Sequence, residues 1–302
     1  MTNVQRVKFF VVGAAKSGTT TVYNSLLKTN MFSLPLEKEP NRFNTGSSSV
    51  PGTGPGDKYA TTVLRDEKQY QKNFRGESNI GAVDFSVAYL YDDMAPIEIF
   101  RHNEDAKILI ILRNPVDRAY SHYLHMVRDC RETLSFEDAL ESEEERKKLG
   151  YEFSWHYKTM GLYCAQVQRY LELFGENNVL VVKFEDLLSD KQKVEECLNI
   201  FFEVPHGTIS LTSEKFNATG TVKNKRMASF VNRPSRLRNF LKKLIPRDAG
   251  RYLMNKLRSA NLKDEKPTLS IETKTMLVDY YRKDILELSK LTSRSYDDWL
   301  QA

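Results

Sequence analysis

Residues 7–29 read V-K-F-F-V-V-G-A-A-K-S-G-T-T-T-V-Y-N-S-L-L-K-T. The β-branched and aromatic run from Val7 stops at Gly13, and beyond Thr19 the apolar residues Val22, Leu26 and Leu27 recur at helical spacing. A short buried strand, a tight turn and an amphipathic helix open a βα unit. The turn itself, Gly13-Ala14-Ala15-Lys16-Ser17-Gly18-Thr19-Thr20-Thr21, sets a lysine and three hydroxyls at a helix start. Unpaired backbone N–H groups and the helix dipole make such a start a site for a phosphate or sulfate. The same residues would also serve as a plain Ser/Thr-rich helix cap. Two nucleotide-binding patterns are excluded. Lys16 arrives three residues after Gly13, so G-x-x-x-x-G-K-[ST] is not met, and G-x-G-x-x-G is absent.

Further along the chain, 107–113 (KILIILR) and 178–184 (NVLVVKF) repeat the apolar strand pattern, and 80–85 (IGAVDF) repeats it more weakly. Helical stretches at 116–129, 133–148 and 160–174 lie between them. Near-continuous apolar strands alternating with helices predict an α/β fold with a central parallel sheet flanked by helices in three layers. Residues 268–290 form one long amphipathic pattern, predicting a helical C-terminal extension. Residues 44–57, with four glycines and two prolines, read as a long loop of the kind that binds or covers ligands. The chain reads as one unit over 1–302: an α/β core to 213, then a basic helical extension over 214–302.

Composition bounds the function. At 302 residues and 40% hydrophobic, the chain can bury a sizeable core, which excludes wholesale disorder. Mean hydropathy is −0.51, and no apolar run reaches the roughly 18 residues of a membrane span. The start of the chain lacks the apolar stretch of a secretory signal, so the expectation is a cytoplasmic protein without membrane insertion. Cys130, Cys164 and Cys197 are too far apart for a metal motif, and no metal is expected. Net charge is +5, but residues 214–266 hold 15 Lys+Arg against 4 Asp+Glu, leaving −6 for the rest. That asymmetry suits a polyanionic ligand, and equally suits long basic side chains covering helices.

A second motif follows the strand at 107–113: Arg113-Asn114-Pro115-Val116-Asp117-Arg118-Ala119-Tyr120-Ser121. A guanidinium at a strand end offers a forked phosphate contact, and Ser121 falls two turns into the next helix. Together with K-S-G-T-T at 16–20, this motif resembles the two phosphate grips of the PAPS-dependent sulfotransferases. Lys38-Glu39-Pro40-Asn41-Arg42-Phe43 is similar to the family's K-E-x-x-x-F element, and Val83 to Tyr89 to its E-x-[ST]-P-x-Y element. The nearest resemblance is to the heparan-sulfate-type and bacterial carbohydrate sulfotransferases. Val87 departs from the family's proline, and Phe85 stands where some heparan enzymes carry a lysine.

The resemblance implies a P-loop-type fold and a sulfotransferase that moves the sulfuryl group from PAPS to a hydroxyl or amine of a glycan-like acceptor, releasing PAP. A lipid or small-metabolite hydroxyl is the alternative acceptor. It implies that Lys16, Ser17, Gly18, Thr19 and Thr20 hold the 5′-phosphate, and that Arg113 and Ser121 hold the 3′-phosphate. Lys225 and Arg226 of the basic segment would close over the latter, a role open also to Arg233 or Lys263. Lys16 would carry charge on the leaving group, and Glu39 would act as general base. His125, one helical turn after Ser121, would assist. Glu39 as a surface residue paired with Lys38, and His125 as a packing residue, stay open. A P-loop kinase acting on a small molecule and a non-catalytic nucleic-acid-binding protein are the competing classes; the leading reading needs no nucleic-acid partner.

Overall fold

The computed structural model describes residues 6–46, 51–75, 78, 80–212 and 268–302. Its elements, in order, are β1 (Val7–Gly13), α1 (Thr19–Thr29), β2 (Leu34–Pro35), α2 (Glu67–Lys72), β3 (Phe74–Arg75), β4 (Ala82–Phe85), α3 (Ala95–His102), β5 (Lys107–Leu112) and α4 (Pro115–Arg128). There follow α5 (Phe136–Glu141), α6 (Glu143–Lys148), α7 (Cys164–Phe174), β6 (Val179–Lys183), α8 (Asp186–Ser189), α9 (Lys191–Phe201) and α10 (Ile271–Thr292). The main sheet has the order β4-β1-β5-β6 with every pair parallel. β2 and β3 form a small antiparallel pair beside it.

Alternate residues of the strands feed two cores, as a two-residue side-chain period requires. Phe10, Val12, Ile108, Ile110, Leu112 and Val181 face one core, which α3, α4, α7 and α10 cover through Ile99, Ala119, Val167, Tyr281 and neighbours. Phe9, Val11, Leu109, Ile111 and Val182 face the other, covered by Val22 and Leu26 of α1 and Val194 and Leu198 of α9. The register slips between Val7 and Phe9, so Val7 joins the first core instead of the second. This is the predicted three-layer α/β arrangement with a parallel sheet, and its C-terminal helix is present.

Three local expectations need correction. Leu27 is exposed, because the buried face of α1 runs through Val22, Ser25 and Leu26. The helix expected over 133–148 breaks at Ser142 into α5 and α6. The break buries Glu143, whose carboxylate accepts from the Thr159 N–H (3.0 Å) and the Thr159 hydroxyl (2.7 Å). The stretch expected as helix from 160 begins as a 3-10 turn at Thr159–Gly161, and α7 proper starts at Cys164.

β1 leads to α1 on one face of the sheet and β5 leads to α4 on the other. The chain crosses from β4 over β1 to β5, so the crevice beyond the ends of β1 and β5 is a topological switch point, where ligands of open α/β sheets bind.

Candidate active site

At that crevice the turn after β1 wraps the start of α1. Gly18 caps the helix at φ +83°, and no acidic residue lies in its first turn to oppose an anion there. A Cβ on Gly18 would stand 2.7 Å from the Phe184 ring. Lys16 also adopts a left-handed φ, +72°, as do Glu39 (+67°) and Asn41 (+53°) across the crevice. Non-glycine residues held there carry strain of the kind that gathers at functional sites.

Arg113, at the end of β5, donates from one guanidinium nitrogen to the Lys16 carbonyl (3.2 Å) and lies 5.0 Å over the Phe184 ring. Asn114 then caps α4, its side chain accepting from the Val116 N–H at 3.0 Å, and Pro115 takes the first helical position. The sequence R-N-P is therefore a strand end, a cap and a helix start in three residues. Ser121 is buried two turns along α4, one turn before His125.

Lys16 Nζ lies 3.3 Å from His125 Nδ1, and an Arg128 guanidinium nitrogen lies 2.8 Å from the same atom. Ammonium and guanidinium groups only donate, and Arg128 lies nearer Nδ1 than Nε2 (2.8 against 3.4 Å), so Nδ1 is taken as the acceptor and the ring proton is assigned to Nε2. Nε2 lies 3.4 Å from an Asp129 carboxylate oxygen. Burial, then the positive charge of Arg128, lowers the Lys16 pKa to about 8. Lys38 spans the crevice from the other side and donates to the Thr19 (3.2 Å) and Thr20 (3.1 Å) hydroxyls. Burial lowers its pKa too, against the pull of Glu39.

The structure thus brings together Lys16, Thr19, Thr20, Arg113 and His125, with Glu39 close enough for its charge to act on both lysines. His122 points away: it is buried against Arg118 and Tyr157, and burial holds its pKa well below the usual value. Lys225 and Arg226, with Arg233 and Lys263, lie outside the described residues. The sequence reading missed the grip of Lys38 on the two threonines, and it missed Arg128 and Asp129. The last two were signalled only by their i+3 and i+4 spacing from His125.

The unfilled valences indicate what fits here. Among the described residues, Ser17 Oγ and Arg113 Nε are buried without a hydrogen-bond partner, both beside the turn at the head of α1. Buried polar groups are nearly always satisfied, so two orphans at a helix N-terminus ringed by cations call for an anionic ligand. No group of His, Cys, Asp and Glu among the described residues could hold a metal ion.

The Sulfotransferase domain family matches residues 6–260. This chain belongs to that family. A sulfotransferase from Alicyclobacillus acidocaldarius, solved by crystallography, is 31% identical, with a TM-score of 0.76 over 99% of this sulfotransferase chain and 100% of that one. The bifunctional heparan sulfate N-deacetylase/N-sulfotransferase 4 of Mus musculus is 26% identical over 95% of this chain, but over only 30% of its own length. The mouse heparan sulfate glucosamine 3-O-sulfotransferase 3B1 is 29% identical over 34% of this chain and 26% of its own. The sulfotransferase chain thus spans less than a third of the length of these curated relatives.

Proposed function

We propose that this sulfotransferase moves the sulfuryl group from PAPS to a hydroxyl or amine of a carbohydrate-like acceptor and releases PAP. The observation that carries the reading is the pair of orphaned donors, Ser17 Oγ and Arg113 Nε, at a helix N-terminus flanked by Lys16 and Lys38. Ser17 to Thr20 would receive the 5′-phosphate and Arg113 with Ser121 the 3′-phosphate; Lys225 and Arg226 remain candidates for closing over it. The acceptor class is supported by the names of relatives that act on heparan sulfate and by the basic segment 214–266, which suits a polyanion.

In the transfer, an acceptor oxygen or nitrogen forms a bond to sulfur as the bond from sulfur to the 5′-phosphate oxygen breaks. The negative charge stays on that phosphate, where Lys16 neutralises it. The acceptor proton passes to Glu39. His125 offers its Nδ1 lone pair to Lys16 and Arg128, so it orients the cation and leaves the base role to Glu39. We also read α10 as part of the same unit as the α/β core, since Leu277, Tyr281 and Leu288 are buried in it.

Incubation of the purified protein with radiolabelled PAPS and a desulfated heparan-type chain tests the reading. Label should enter the chain and persist in EDTA, and PAP should raise the melting temperature at concentrations where ATP and an oligonucleotide do little. Dependence on ATP and Mg²⁺ would return the protein to the kinase class. Glu39→Gln should keep PAP affinity while turnover falls by about 10²–10⁴, the range of a lost general base. Near-normal turnover in Glu39→Gln, with loss in His125→Ala, would reverse the two roles.

A further inference from the structure

Asp84 occupies a position on β4, opposite Phe10 of β1, whose neighbours Val83 and Phe85 pack in the apolar core. Its side chain is fully buried, and among the described residues no cation pairs with it. Three hydroxyls do: Tyr70 (2.8 Å) and Tyr89 (3.1 Å) on one carboxylate oxygen, Ser86 (2.6 Å) on the other. A carboxylate so placed is costly to bury unless its lone pairs are used, and here they are used by donors alone.

The arrangement has a direction. A carboxylate only accepts, so it draws the Ser86 and Tyr89 protons inward and leaves both hydroxyl oxygens to accept from outside. What they accept is the backbone of the loop carrying Lys38 and Glu39: the Asn41 N–H on Ser86 Oγ (3.0 Å) and the Phe43 N–H on the Tyr89 oxygen (3.3 Å). Asn41 passes the hold on, its side-chain amide donating to the Glu39 carbonyl at 2.7 Å. Two of the residues so held, Glu39 and Asn41, are left-handed, a conformation that needs its surroundings to hold it.

We infer that Asp84 is a positioning residue: through the Ser86 and Tyr89 hydroxyls it fixes the 38–43 loop and with it the placement of the Glu39 carboxylate. The last step rests on the proposed role of Glu39, whereas the hold on the loop does not. Asn at 84 would present an amide donor to one hydroxyl and so reverse one relay. Ser86→Ala keeps the carboxylate and removes the acceptor of the Asn41 N–H, serving where Asp84→Asn folds poorly.

The test measures hydrogen exchange, PAP affinity and turnover together in the full chain. The backbone amides of Asn41 and Phe43 in Asp84→Asn, and that of Asn41 in Ser86→Ala, or in either variant a peptide spanning 36–46, should exchange about tenfold faster or more, with amides of β1 and β5 unchanged. PAP affinity should stay within about threefold while kcat falls about tenfold or more, and Glu39→Gln/Asp84→Asn should lose little beyond Glu39→Gln alone. Unchanged exchange in the loop, or exchange raised across the whole sheet, would overturn the inference; so would losses that multiply in the double variant. If Glu39→Gln itself turns over normally, the base assignment falls, and the loop exchange alone decides the hold of Asp84.

Discussion

Lys16 is a lysine whose charge is contested. Burial and the nearby Arg128 and Arg113 disfavour its ammonium form, while Asp129 and Glu39 favour it, and the balance is a pKa lowered to about 8. The group is charged below that value and loses its proton above it. An anion bound at the turn adds a favourable charge, so binding raises the Lys16 pKa and takes up protons near pH 8 to 9. PAP affinity should therefore be level below pH 8 and decline above it. Titration calorimetry in buffers of different ionisation enthalpy should show the proton uptake. Lys16→Met should remove both the decline and the uptake, and a wild-type affinity flat to pH 10 would show that Lys16 does not face the anion. Arg113 differs in kind: its fork has one nitrogen on the Lys16 carbonyl and an Nε that has no partner among the described residues. Arg113→Ala should weaken PAP by about 1.5–3 kcal/mol, the loss of a charged hydrogen bond, with a smaller effect on turnover at saturation. Equal PAP affinity in this variant would move the 3′-phosphate elsewhere.

At the scale of elements, the site is built by two helix starts, and both were legible in the residues. Strand, glycine, lysine and threonines place a helix start without a side-chain cap at α1; R-N-P places a strand end, a cap and a first-turn proline at α4. What escaped the sequence was contact made at long range. Nothing local shows Lys38 reaching Thr19 and Thr20, or Asp84 holding a loop more than forty residues upstream, because neither leaves a periodic pattern. The split of 133–148 into α5 and α6 was likewise hidden, since it depends on Glu143 meeting the backbone near Thr159. Gly18 joins the two helix starts, as its missing side chain admits the Phe184 ring on which Arg113 rests. Gly18→Ala meets a left-handed φ and a ring at 2.7 Å together. It should destabilise the fold by at least the roughly 1–2 kcal/mol of a left-handed non-glycine residue, and displace Phe184 enough to lower PAP affinity. Denaturant melts and PAP titration of the one variant check both.

Across the whole molecule, the C-terminal helix is wired to the candidate site through α7. The start of α7 lacks a side-chain cap of its own. Asp284 of α10 supplies one, its carboxylate accepting from the Tyr163 N–H at 2.7 Å and the Cys164 N–H at 3.2 Å. An anion at a helix N-terminus is favoured by the dipole as well as by the bonds. Tyr163 then donates its hydroxyl to the Arg113 carbonyl at 3.0 Å, so the cap and the grip share a residue. Burial nevertheless outweighs the two N–H bonds and raises the Asp284 pKa to about 6 from 3.8. A raised carboxyl pKa means the folded state holds its proton more tightly than the unfolded chain. The Asp284 contribution is thus greatest below pH 4, falls as pH rises through 6, and is constant above. Asp284→Asn cannot titrate, so urea melts at pH 4, 5, 6 and 7 should show wild type losing stability relative to the variant over that interval. Asp284→Ala leaves the Tyr163 and Cys164 N–H groups without their acceptor and should lower stability by about 1–3 kcal/mol at pH 7, and by more at pH 4, where the wild-type contribution is greatest. If Tyr163 transmits the change, PAP affinity drops in Asp284→Ala and holds in Asp284→Asn, whose side-chain oxygen still accepts. Equal PAP affinity in both variants would show α10 supporting the core without reaching Arg113.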